Sequence, residues 1–171
     1  MRTGEFKVTF QGGDKFKGVL AKISAQAVGV RAGILEGATK PDGTPIPPYA
    51  AVNEFGGKSV HNGKIVTIPA RPFMRDSVRL HSSEWGRALS TKMAGHPDGA
   101  KAAMYIVGQN MTADIKATIA TGNFTPLSEV TIAKKRAAGK AQPETPLIDT
   151  GSMLQAVGYE VVDGGAADGG R

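Results

Sequence analysis

Apolar and polar residues first alternate at Phe6-Lys7-Val8-Thr9-Phe10, the period of a half-buried strand. Gln11-Gly12-Gly13-Asp14 then predicts a turn with Asp14 as N-cap, followed by a short helix with Phe16, Leu20 and Ile23 on one face. Val28–Leu35 reads as a second strand, its glycines permitting a bend or close packing. Residues 37–48 (GATKPDGTPIPP) hold four prolines and predict a loop with no regular element. Tyr49–Phe55 gives one or two helical turns, stopped by Gly56-Gly57. Lys58-Ser59-Val60 and Lys64-Ile65-Val66-Thr67-Ile68 flank His61-Asn62-Gly63, and Asn-Gly between β-branched runs predicts a hairpin.

Pro69-Ala70-Arg71-Pro72 leads into a helix with Met74, Val78, Trp85, Leu89 and Met93 on one stripe, ended by Gly95-His96-Pro97. A second helix is predicted over Ala100–Thr121, with Met104, Val107, Met111, Ile115 and Ile119 inward and Gly122 as its stop. The two should pack against the sheet as a pair. Periodicity dissolves over residues 123–146, where only Ser128–Ala138 suggests a helix, capped by Ser128 or Thr131. Asp149-Thr150-Gly151-Ser152 reads as a turn capping Met153-Leu154, and Val157–Val162 as a final strand. The expected architecture is α+β: a small antiparallel sheet with a β-hairpin, packed against two long amphipathic helices, with extended loops. Residues 1–162 would form one domain with 123–146 as an assembly arm, and the Gly/Ala/Asp-rich 163–171 a disordered tail.

The length of 171 residues suits one domain with a real core. The absence of cysteine excludes disulfides, thiolate-held zinc, iron–sulfur clusters and thiol chemistry, and three scattered histidines argue against a His-rich metal site. No apolar run approaches the length of a membrane span, and MRTGEFKVTF lacks a signal peptide's apolar stretch. A soluble protein of a reducing compartment, or of a particle assembled in one, is expected. The formal net charge of +6 is spread thinly: seven Lys/Arg against three Asp/Glu in residues 1–40, and five against six in 125–171. A dedicated duplex-DNA binder shows a denser basic stripe.

Catalytic templates are mostly missing. No G-x-S-x-G elbow, P-loop or G-x-G-x-x-G occurs, and no acidic residue is spaced with His to hold a metal. Asp149-Thr150-Gly151 matches the aspartic-protease triplet once, but Asp, Thr and Ser also satisfy free amides at a helix start, which is the reading favoured here. His61 reads as a hairpin-tip residue, His81 as a flank residue of its helix and Trp85 as a core anchor. Arg71, Arg75 and the run Lys134-Lys135-Arg136 are candidate contacts to acidic neighbours or phosphate, with solvated charge as the competing reading.

Four blocks occur in order: Asn53-Glu54-Phe55-Gly56-Gly57; Ile68-Pro69-Ala70-Arg71-Pro72-Phe73-Met74-Arg75; Pro126-Leu127-Ser128-Glu129-Val130-Thr131-Ile132; and Pro146-Leu147-Ile148-Asp149-Thr150-Gly151-Ser152-Met153-Leu154. Together, from about residue 28 to 162, they resemble the neck and tail-completion proteins of tailed bacteriophages of the Mu-like and lambda-like kind. Gly57 departs from the Thr or Ser expected there. The resemblance implies a structural virion protein with no catalytic activity, cofactor or metal, made in the host cytoplasm and carried in the virion. It implies a homo-oligomeric ring, six-fold by preference, joined to other connector and tail proteins, with genomic DNA passing the lumen unread and no membrane contact. Phe73 would lock the hairpin-to-helix junction, and Arg71, between two prolines, would make a fixed salt bridge. Arg71, Phe73, Arg75, Lys134, Lys135, Arg136 and Asp149 are the candidate subunit contacts. The alternatives are a small basic nucleic-acid-binding protein without sequence preference and, more remotely, a hydrolase built on Asp149.

Overall fold

A computed structural model describes residues 28–61, 63–94 and 99–163. The expected strand Phe6–Phe10, the helix carrying Phe16, Leu20 and Ile23, the Gly95-His96-Pro97 stop and residues 164–171 of the expected tail lie outside them. The described chain is α+β, with five helices and two two-stranded antiparallel sheets. In order it runs β1 (Val28–Ile34), α1 (Ile46–Phe55), β2 (Gly57–His61), β3 (Lys64–Ile68), α2 (Phe73–Ala94), α3 (Ala100–Thr121), α4 (Glu129–Ala137), α5 (Ser152–Gln155) and β4 (Val157–Asp163). Among the described residues no helix is long and apolar enough to cross a membrane.

Helix α3 is the axis of the fold. It lies along α2 on one side and against both strands of the β1–β4 sheet on another. That sheet pairs Val28 with Asp163 and Ile34 with Val157, so strand order extends one residue into the stretch expected to be a disordered tail. Side chains of Val30, Ala32, Tyr159 and Val161 share the face that also carries Ile34 and Val157, and these last two join the core. The helix meets the sheet closely at Gly108, where an added Cβ would stand 2.2 Å from the Tyr159 ring. Ile46, Phe73, Ile115 and Ile119 fill the centre, each no more than 2% exposed, and Phe124, Leu147, Met153 and Val157 close around them.

The stripe expected for α3 is inward at Val107, Ile115 and Ile119, with Met104 and Met111 half-buried. For α2 the buried residues are Phe73, Ser77 and Trp85, whereas Val78 and Met93 are about half exposed. The contact line is rotated from the expected stripe because Ser77 can sit inward: its hydroxyl donates to the Phe73 carbonyl at 2.7 Å, leaving no unmet polar group. Trp85 anchors the helix pair as expected and also donates its indole N–H to Asp114 of α3 at 2.7 Å.

The expected hairpin forms, with Val60 opposite Ile65. It makes a second sheet of its own rather than an extension of the one on the helices, and Val60 and Ile65 are each 72% exposed. The Pro-rich loop is shorter than expected, since Ile46-Pro47-Pro48 form the first turn of α1, where missing proline N–H groups cost nothing. Gly122 ends α3 in an extended conformation, not a left-handed one; it must be glycine because a Cβ would meet Phe124 and the Thr118 carbonyl at 2.5 Å. The expected arm 123–146 is folded onto the body of its own chain. It contains α4, whose N-cap Ser128 accepts from the Thr131 N–H at 3.3 Å.

Candidate functional site

The residues singled out in the sequence fall around one junction between α1, the start of α2, and α4. Gly56, at φ 76°, turns the chain sharply out of α1, and its missing Cβ leaves room for the Ala70 amide and Ile68 carbonyl, each 3.0 Å from that position. This turn sets the carboxylate of Glu54, only 5% exposed, over the first turn of α2. Its two oxygens accept from the Met74 N–H at 2.9 Å and the Arg75 N–H at 3.2 Å, so the acid caps α2 from another helix. Arg75 clamps the same residue, donating from Nε to the carboxylate at 2.9 Å and from a terminal nitrogen to the Glu54 carbonyl at 2.8 Å. Its guanidinium also lies 5.2 Å from the centre of the exposed Phe55 ring.

Arg71 does not make the expected salt bridge within its own chain among the described residues. It is 6% exposed, and no carboxylate among the described residues pairs with it. Its N–H donates to the Asn53 carbonyl at 2.7 Å. Its Nε and a terminal nitrogen donate to the carbonyls of Thr125 and Pro126 at 3.0 and 3.4 Å. Burial pushes its pKa below the usual arginine value. Phe73 does lock the junction, at 1% exposure within the core.

The three-residue basic run divides. Lys135 turns inward at 9% exposure, donating to the carbonyls of Thr145 and Ile148 at 2.8 and 2.6 Å and tying α4 to the following segment. Burial lowers its pKa, opposed in part by the Asp149 charge. Lys134 is exposed, and Arg136 is exposed but paired with Glu144. Asp149 does not cap α5: it sits at the surface, 3.5 Å from the Lys140 ammonium, while Thr150 and Ser152 hydrogen-bond to each other across Gly151. Thus Phe73 lies in the core, Arg71 and Lys135 are largely buried and bonded to carbonyl oxygens, and Arg75, Lys134, Arg136 and Asp149 are at the surface.

Sequence reasoning missed the role of Glu54, and the groove beside the junction. The groove has a volume of about 600 Å³ and runs between α1, the end of β3, α4 and residues 146–149. Its walls are largely aliphatic and proline, with Lys40, Arg71 and Lys135 as cations and Asp149 as the one acid. The Lys40 ammonium stands 4.5 Å over the Tyr49 ring. Among the described residues no three His, Asp or Glu side chains are placed to share a metal ion. Comparison with family models, curated proteins and solved structures finds no match to this chain.

Proposed function

We propose that this chain is a structural protein of the neck of a tailed bacteriophage, part of the ring that joins head to tail. The observation that supports this reading is the convergence of the four sequence blocks on one hydrogen-bonded junction. The first block meets the second through Glu54 with Met74 and Arg75, and through the Asn53 carbonyl with the Arg71 amide. The second meets the third through Arg71 and Pro126. Lys135, in the helix that the third block opens, holds the fourth at the Ile148 carbonyl. Glu54, Arg71 and Arg75, charged residues of the blocks that carry the resemblance, are thus committed to holding elements in register, which suits a scaffold.

In this reading the protein has no reaction of its own. Copies meet head to tail and close into a ring because the rotation between neighbours permits it, six-fold by preference. Other connector and tail proteins stack on that ring, and the genome passes its lumen through charge contacts alone. The protein is assembled in the host cytoplasm and ends in the virion. The nucleic-acid-binding alternative loses support from the basic run, whose central lysine faces inward and whose arginine is paired.

Electron microscopy of a lysate from a phage with this gene disrupted tests the proposal. Filled heads beside unattached tails are the expected result, with irregular tail lengths pointing to termination and normal ones to the neck proper. Intact infectious particles overturn it.

A further inference from the structure

The groove between α1 and α4 combines two features that rarely coincide without a ligand. Its walls are apolar, and three cations stand in them without a carboxylate in ion-pair contact among the described residues. Two of those cations are buried and bonded to neutral carbonyl oxygens, with the Asp149 charge offsetting Lys135 in part. Neither cation has its donors exhausted: the Lys135 ammonium carries three N–H groups and uses two, and Arg71 keeps further guanidinium N–H groups. Asp149, the acid in the wall, is engaged by Lys140.

The apolar surface does not end with the groove. Tyr49 and Val52 line it while 39% and 38% exposed, and Phe55, the next residue on that face of α1, is 70% exposed. Beyond it stands the hairpin, which is two-stranded among the described residues and carries an exposed Val60–Ile65 pair. An open apolar strip of this length suits a chain segment better than a compact small molecule.

We propose that the groove receives an extended peptide segment of a partner protein, with an Asp or Glu side chain flanked by apolar residues. The carboxylate seats against Lys40 and the buried pair Arg71 and Lys135, and the apolar flanks cover Tyr49, Val52 and Leu127. Charge complementarity selects this occupant independently of the neck reading, so either can fail alone.

A random peptide library displayed on yeast and selected on the immobilised full chain tests this. The enriched peptides should share an acid between apolar residues. Replacing that acid by its amide should weaken binding, read by fluorescence polarisation, by about tenfold. Lys40→Glu, at a half-buried position, and Val52→Glu, at an exposed one, should do the same with unchanged melting temperature. Absence of enrichment, enriched peptides without an acid, or affinity indifferent to the amide replacement overturns the proposal. If either variant melts early, the acid-to-amide comparison on the unaltered chain decides it.

Discussion

Glu54 does for α2 what a serine or aspartate normally does from the residue just before a helix, but from another helix. Two amides at the start of α2 and one guanidinium depend on its carboxylate. Glu54→Ala should therefore lower stability by about 1–3 kcal/mol, measured by urea unfolding, because it leaves the two part-buried amides without their cap. Gly108→Ala should have a comparable effect for a steric reason, about 1–3 kcal/mol of overpacking against Tyr159. Tyr159→Leu should recover part of that loss in the double variant, and additive losses would contradict the contact. Lys135 offers a test by pH. Its folded pKa lies below the ordinary 10.5, so the unfolded chain binds more protons over the interval up to that value, and stability from this group rises with pH there. The unfolding midpoint of the wild type should climb relative to Lys135→Met as the pH is raised toward 10.5.

At the scale of elements, the sequence was most readable where a single periodicity ran long. The bounds of α3 and the register of the hairpin follow from spacing and from Asn62-Gly63. What the pattern could not carry was anything fixed by a distant partner. Ser77 sits inward only because its hydroxyl returns to the helix backbone, so a hydropathy stripe misplaces the buried face of α2. Residues 123–146 look structureless because their anchors are spread: Phe124 in the core, carbonyls of Thr125 and Pro126 on Arg71, and Lys135 on Thr145 and Ile148. The candidate site was legible as a set of blocks but not as a shape, since the groove exists only once α1, α4 and the 146–149 segment meet. Arg71 is the peg of this arrangement. Arg71→Met should loosen it, with faster amide exchange across residues 122–128, while α3 keeps its protection. Arg71→Lys should rescue little, because an ammonium has no fork to span two successive carbonyls.

Across the whole molecule, the pairing of β1 with β4 joins the first described strand to the last. Removal of β4 should strip the sheet from α3, and a chain truncated before Val157 should lose its sharp thermal transition, monitored by circular dichroism. The same pairing dictates a timetable. During synthesis β1 emerges early and waits, without its partner, while the helices, the hairpin and the α4 lobe are made. The ribosome must release nearly the whole described chain before the sheet can close, so β1 meets its partner only after the helices between them have been made.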